Sequence, residues 1–100
     1  MSTLCLYEVN ATCADAATAD AWVRWMRDRH IADVVAAGAM CGRVLRIDGI
    51  PHGFVAQYEF ASRAELEKYL SHHAPRLRAE GLEKFGDRVQ CTRRVSELIG

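Results

Sequence analysis

Residues 53–70 read GFVAQYEFASRAELEKYL and contain the change from strand to helix that decides the fold. Side chains alternate between two faces over residues 54–60, as they do along a strand. Ser62 and Glu65 then have the spacing of a capping box, in which each side chain satisfies the other residue's free backbone N–H. Apolar residues follow at helical spacing as far as Pro75, which breaks or restarts the helix because it has no N–H to donate. The stretch therefore predicts a strand followed directly by an amphipathic helix.

The chain on either side of this stretch completes the order strand, helix, strand, strand, helix, strand. A helix is predicted over residues 19–37, with Asp15 or Thr18 as its N-cap and Gly38 at its end. The other predicted strands are residues 4–12, 40–48 and 88–98, with a hairpin loop at 48–53. Short connections and right-handed crossovers favour a four-stranded antiparallel sheet in the order 4-1-3-2, with both helices on one face. We expect residues 1–100 to form a single α+β domain.

The composition argues against several classes of function. Thirteen basic and thirteen acidic side chains cancel, whereas tight binding to a nucleic-acid backbone usually needs an excess of positive charge. No apolar run reaches the roughly 20 residues that span a bilayer, and residues 1–10 lack the basic and long apolar regions of a signal peptide. We therefore expect a cytoplasmic protein without nucleic-acid or membrane partners. The four cysteines are too dispersed for a C-x-x-C pair and are predicted to be free thiols.

The two faces of the predicted sheet differ in polarity. The face toward the helices is mainly apolar, whereas the other face mixes carboxylates, amides and an arginine with a few aliphatic side chains. Near the centre of this second face the predicted strand order brings together Glu8, Asn10, Gln57, Glu59 and Arg94. The face is either open to solvent or covered by a second subunit that leaves a polar cavity between the sheets. We favour the covered face, because Leu4, Leu6 and Val55 would add apolar area to an open sheet.

Histidines supply the remaining candidates for a site. His30 lies within the apolar arc of the first helix, which is typical of a core or interface residue, and we keep it as a candidate for the polar cleft. His73 and Arg76 flank Pro75 at the start of a new helix, where free backbone N–H groups favour anions, and they form a candidate anion site. No pair of His or Cys residues has the spacing of a structural zinc site, so we expect no metal. No glycine-rich phosphate loop or nucleophile motif occurs, and we expect no cofactor.

RNA recognition motifs share this order of elements, and residues 53–70 superficially resemble one. Those modules stack bases on aromatic side chains of the exposed sheet face. With Glu59 and Phe60 aligned on the end of that signature, the stacking positions become Val55 and Gln57. The aromatic residues face the helices instead, and the carboxylates of the other face would repel phosphate. We therefore do not expect RNA binding.

Three stretches together resemble a small bacterial family of domains of unknown function: YEVN at 7–10, WVRWMRDRHIADV at 22–34 and QYEFASRAELEKYLSHHAPRLRAEGLEKFGDRV at 57–89. The likeness covers nearly the whole chain, and HAPRLRAEGLEKFGDR is its most specific part. The resemblance implies a ferredoxin-like βαββαβ domain of the dimeric α+β barrel superfamily, in which two subunits pack sheet to sheet. Relatives there include cofactor-free monooxygenases, muconolactone-isomerase-like proteins and haem-degrading proteins. The resemblance assigns no substrate and no site residue.

Three functions remain open. The first is a homodimer, paired through the polar-rich face, that has no assigned reaction and binds a small molecule in a polar cavity between its sheets. The second is a cofactor-independent monooxygenase or isomerase, in which Glu8 or Glu59 accepts a proton and a carboxylate pair raises one pKa. In that enzyme Arg94 or His30 would polarise an oxygen. The third is an adaptor that pairs the exposed edge of its second strand with another protein, although arginines in that strand discourage such pairing.

Overall fold

The helices and strands follow the predicted order in the computed structural model, which describes residues 3–100. The strands are β1 (Cys5–Cys13), β2 (Cys41–Arg46), β3 (Gly53–Phe60) and β4 (Val89–Glu97). The helices are α1 (Ala16–Trp25), α2 (Ile31–Ala36), α3 (Arg63–His72) and α4 (Ala74–Phe85), with a π-helical turn at Met26–His30 and a 3-10 turn at Gly86–Arg88. No helix within the described residues is long and apolar enough to cross a membrane. The expectation about a signal peptide partly concerns Met1 and Ser2, which lie outside the described residues.

The four strands form one antiparallel sheet in the order β2-β3-β1-β4, which confirms the predicted order 4-1-3-2. β1 lies between β3 and β4, so that Glu8 is opposite Gln57 on one side and Arg94 on the other. β2 continues this line, because Arg43 is opposite Gln57. The register therefore brings one polar side chain from each of the four strands into a single row across the sheet.

The core lies between the sheet and the helices, which pack on the apolar face. The strands contribute side chains of one parity, among them Tyr58 and Phe60, which are 1% and 0% exposed. The helices contribute Trp22, Leu66 and Leu77, all of which are buried. The predicted α+β, ferredoxin-like arrangement of one sheet with helices on one side is therefore confirmed.

The first helix begins three residues before its predicted start, at Ala16 rather than at residue 19. Asp15 has extended backbone geometry, and its Oδ1 accepts a hydrogen bond of 2.7 Å from the backbone N–H of Thr18. This bond lowers the pKa of Asp15, because it stabilises the ionised carboxylate. Of the two predicted caps, Asp15 is the one that the helix uses.

The same helical segment contains a π turn that the sequence did not predict. Successive residues of an α-helix are about 100° apart around its axis, so Trp22 and Val34 would lie about 120° apart in an uninterrupted helix. The π turn at Met26–His30 absorbs one additional residue and reduces this angle to about 20°. Both side chains are therefore buried on the same side, with exposed fractions of 4% for Trp22 and 0% for Val34.

Candidate functional site

Four side chains form a hydrogen-bonded row across the face of the sheet that carries no helix. Arg43 Nε donates to Gln57 Oε1 over 2.9 Å, and Gln57 Nε2 donates to Glu8 Oε2 over 2.8 Å. Arg94 Nη2 donates to Glu8 Oε1 over 3.1 Å and completes the row. Glu8 is only 6% exposed, because its neighbours in the row cover its carboxylate. Arg43, Gln57, Glu8 and Arg94 are termed the polar row below.

Glu59 lies beside the polar row and is bonded to the edge strand β2. Its Oε2 accepts hydrogen bonds from Arg43 Nη1 over 2.8 Å and from the Cys41 thiol over 3.3 Å. The bond from Arg43 is the largest of the causes that lower the pKa of Glu59. The enzyme hypothesis requires one carboxylate with a raised pKa. Glu59 does not meet this requirement, because its ionised form is stabilised and its pKa is lowered.

Most of the predicted cleft residues lie together on this face. Those in or beside the polar row are Glu8, Gln57, Glu59 and Arg94. Asn10 is two residues along β1 from Glu8, where it is half-buried and opposite Val55. Arg43 and Arg46 fall on opposite parities of β2, so the sequence alone does not say which of its faces is the polar one, and the contacts of these two arginines settle it. Arg43 belongs to the polar row, whereas the Arg46 guanidinium lies 5.5 Å from the centre of the Phe54 ring on the helix side.

His30, the remaining cleft candidate, lies on the opposite side of the sheet. It is the last residue of the π turn, and its ring stacks on the indole of Trp25 with 4.5 Å between ring centres. The apolar arc of the helix faces the covered side of the sheet, and His30 lies within that arc. The structure therefore does not bring His30 together with Glu8, as a single cleft requires.

A cavity of about 370 Å³ lies between the sheet and the helices, next to His30. Its walls are largely aromatic and include Tyr7, Trp22, Trp25, Tyr58, Tyr69 and Phe85. Ala56 on β3 and Gly81 on α4 also line it, and these small residues leave the space that the rings surround. The cavity reaches the surface between α4 and β4, where Arg78 and Arg93 are exposed. It is termed the helix-side cavity below.

Two buried polar atoms at this cavity have no hydrogen-bond partner among residues 3–100: the Tyr58 hydroxyl and Nδ1 of His30. Most buried polar atoms in proteins are paired, so these two distinguish the cavity wall from the rest of the core. The Tyr7 hydroxyl accepts a bond of 2.9 Å from Arg78 Nη2, which leaves its own proton to be donated. The cavity thus combines an apolar wall with a few polar groups.

Burial shifts the pKa values of several groups at the cavity. It lowers the pKa of His30, because the imidazolium ion would lose hydration, while Asp33 and Glu80 partly oppose this shift. Burial also raises the pKa of Tyr69 to about 12 and raises that of Tyr58. At neutral pH the cavity wall therefore presents an uncharged imidazole and protonated phenols.

The residues of the candidate anion site are engaged with different partners. His73 precedes α4, and its ring stacks on that of Tyr69 with 6.5 Å between ring centres. Arg76 forms an ion pair with Glu80 along the helix, with 3.7 Å between Nη1 and Oε1. Pro75 lies in the first turn of α4, where its missing N–H is tolerated. Anion binding by His73 and Arg76 stays a prediction.

One residue in the sequence could have indicated the cavity. Gly81 lies in the middle of α4, where glycine costs about 1 kcal/mol relative to alanine. A Cβ at this position would be 3.3 Å from the Trp25 ring. A glycine retained inside a helix despite that cost indicates a close approach of another group, and here it also borders an open space.

Comparisons with known proteins agree with this fold. A model of a domain of unknown function, DUF4286, matches residues 4–99, which confirms the resemblance seen in the sequence, and no curated protein matches the chain. A dimeric ferredoxin-like protein from an uncultured marine organism is 12% identical, with a TM-score of 0.75 over 98% of this chain and 97% of that one. HapK from Hahella chejuensis is 17% identical, with a TM-score of 0.70 over 96% and 93%. A candidate antibiotic biosynthesis monooxygenase from Nitrosomonas europaea is 13% identical, with a TM-score of 0.70 over 100% and 92%.

Proposed function

The chain belongs to DUF4286, a family of unknown function, and since the family supplies no activity we propose a function from the geometry of the chain itself. In this proposal the protein is a homodimer that binds an apolar small molecule in the helix-side cavity, and the polar row lies at the interface between the two copies. The ligand is thus placed beneath the helices rather than between the sheets, where the sequence suggested it. The observation that carries this proposal is the cavity of about 370 Å³ within a 100-residue chain.

The size and lining of the cavity support a small-molecule ligand. Binding sites for small molecules are typically clefts of about 300–1,000 Å³ with apolar and aromatic walls and a small number of polar groups. The helix-side cavity falls in this range, and Trp25, Tyr69 and Phe85 offer it flat aromatic surfaces. The unpaired Tyr58 hydroxyl and His30 Nδ1 lie in its wall, where a small adjustment of either ring would let a ligand supply the missing partner.

The composition of the other sheet face supports the homodimer. Leu6 and Val55 are half-buried on this face, and Leu45 is 41% exposed. Apolar groups of this kind around a set of bonded polar side chains are typical of a surface that another protein covers. The polar row and Glu59 contain two arginines and two glutamates, so a second copy would meet a face without net charge. One solved protein with the same fold is described as dimeric.

Replacing Gly81 by leucine tests the location of the ligand site. A Cβ at this position would be 3.3 Å from the Trp25 ring, so Trp25 must shift by a few tenths of an ångström, and the rest of the side chain would occupy part of the cavity. We expect the affinity for a neutral aromatic probe, 2-naphthalenemethanol, to fall about tenfold or more in equilibrium dialysis. Leucine is favoured over glycine in a helix by about 0.8 kcal/mol, which offsets part of the cost of moving Trp25, and circular dichroism would verify that the variant is folded. Ala79→Leu, at an exposed position of the same helix, should bind the probe as the natural chain does. Unchanged binding by Gly81→Leu would exclude this cavity as the site.

An enzyme of the cofactor-independent monooxygenase or isomerase kind is the second candidate. The observation in its favour is the imidazole of His30 in the cavity wall, because its lowered pKa keeps it unprotonated at neutral pH and so available as a proton acceptor. Glu8 and Glu59 are less suited to that role, since each carboxylate is bonded to an arginine. No comparable observation among the described residues favours the third candidate, an adaptor that pairs the exposed edge of β2 with another protein.

Deuterium exchange at an enolisable ketone tests the second candidate without knowledge of the natural substrate. In D₂O, 2-tetralone loses a proton next to its carbonyl group to a base and regains a deuteron from solvent. If His30 is that base, the natural chain should accelerate the exchange about a hundredfold over buffer, as seen by proton NMR. His30→Gln should remove the acceleration, whereas His72→Gln, at an exposed site, should keep it. Exchange at the buffer rate with the natural chain would refute this candidate.

A further inference from the structure

The helix-side cavity carries positive charge that its own wall does not balance. Arg78 on α4 and Arg93 on β4 lie at its opening, and among residues 3–100 no aspartate or glutamate lines it. Within the same part of the chain neither arginine has a carboxylate oxygen within 4.0 Å. Five other arginines form ion pairs, Arg43 and Arg94 in and beside the polar row among them.

The guanidinium groups of Arg78 and Arg93 both interact with side chains of the same cavity wall. Arg78 donates to the Tyr7 hydroxyl over 2.9 Å and so reaches into the cavity wall. Both Arg78 and Arg93 also influence the phenol of Tyr69, where burial raises the pKa to about 12 and the two positive charges oppose that rise. Charges that converge on one opening with apolar walls produce a local positive potential that attracts anions.

The two acidic residues whose charges act on His30 in the cavity wall are already paired with arginines. Asp33 lies 3.6 Å from Arg29, and Glu80 lies 3.7 Å from Arg76. His30 is uncharged at neutral pH, because burial lowers its pKa. Among residues 3–100, no carboxylate at the opening therefore compensates Arg78 and Arg93.

On the basis of the proposed ligand site, we infer that the ligand is a planar apolar molecule carrying a carboxylate, which Arg78 and Arg93 bind at the opening. The aromatic walls accept the apolar body, and guanidinium groups match the geometry of a carboxylate with paired hydrogen bonds. Because both arginines are exposed, the carboxylate remains partly hydrated and avoids the full cost of burying a charge. A cationic ligand of the same shape would be repelled.

Two probes of nearly equal shape, one with a carboxylate and one without, distinguish the contribution of the charge to the affinity from that of the apolar body. We expect 2-naphthoate to bind the natural chain about tenfold more tightly than 2-naphthalenemethanol in equilibrium dialysis at low ionic strength. Arg78→Gln and Arg93→Gln should each weaken 2-naphthoate about fivefold and leave the alcohol nearly unchanged. Arg24→Gln, which removes the same charge from an exposed position of α1, should affect neither probe. Added salt should reduce the preference for the carboxylate.

The outcomes distinguish the inference from the proposed function on which it rests. Both probes could bind with equal affinity that the arginine substitutions do not change but Gly81→Leu abolishes. That result would refute the inference that the ligand carries a carboxylate and would leave the cavity as the ligand site. Absence of binding for both probes would overturn the ligand site and the inference together. A preference for the carboxylate that Arg24→Gln reduces as much as Arg93→Gln would also overturn the inference, because the effect would then come from net charge.

Discussion

A chain carrying Val55→Arg is expected to sediment as a monomer at micromolar concentrations at which we expect the natural chain to form a dimer. Val55 lies on the face of the polar row, opposite Asn10 on β1 and Leu45 on β2. In a two-fold symmetric dimer each substitution occurs twice across the interface, so two additional positive charges would be brought together and desolvated. We expect the dissociation constant to rise about a hundredfold or more. Sedimentation velocity would distinguish the 11.2 kDa chain from a particle of twice that mass.

Leu82→Arg is the matched control for this experiment. Leu82 is 68% exposed on α4, on the helix side of the sheet. The substitution adds the same charge in place of an aliphatic side chain, and the dimer should persist. A natural chain that sediments as a monomer would contradict the homodimer, and a dimer that survives Val55→Arg but not Leu82→Arg would place the interface on the helices. Circular dichroism would verify that both variants are folded.

Phe60→Ala is expected to lower the free energy of unfolding by about 3–5 kcal/mol, which is the usual loss when a fully buried aromatic ring is removed from a core. Phe60 is 0% exposed at the end of β3, and its ring centre is 5.3 Å from that of Tyr69. Small domains have a total stability of about 5–15 kcal/mol, so the loss would leave a substantial unfolded population in mild urea. Urea denaturation should be measured at one fixed protein concentration, because a dimer adds to the apparent stability.

Leu82→Ala provides the comparison for the buried ring. Its side chain is 68% exposed, and the free energy of unfolding should change by no more than about 0.5 kcal/mol. If the two variants lost the same stability, the position of Phe60 in the core would be incorrect. The comparison isolates burial, since both substitutions remove an apolar side chain and leave alanine.

The fold could be predicted because its local signals agree with one another. The alternation over β3, the N-cap at Ser62 and the break at Pro75 each specify an element without knowledge of its neighbours, and the order of elements then leaves few topologies. The alternation of side chains along the strands also correctly separated the apolar face of the sheet from the face that carries the polar row. Arg43 and Arg46 remained ambiguous, because an edge strand tolerates arginine on both faces and only the contacts with Gln57 and Phe54 distinguish them.

The helix-side cavity could not be predicted in the same way. A cavity is the space left between side chains of several elements, and no single element encodes it. Ala56 and Gly81 are 25 residues apart in the sequence and lie on different walls. Helical spacing correctly placed His30 toward the apolar side of the sheet. The prediction nevertheless grouped His30 with Glu8 by residue type, although the sheet separates the two residues.

The π turn at Met26–His30 also bears on how this gene tolerates changes in length. An in-frame deletion of one codon from this segment would allow an ordinary α-helix in place of the turn. Trp22 and Val34 would then be eleven residues apart and still about 20° apart around the helix axis, so both could remain buried. The segment can therefore lose one residue without losing this packing, whereas the loss of a second residue would rotate α1 about 100° relative to α2. In alignments of homologous chains, we expect a gap within residues 22–34 to be one residue long.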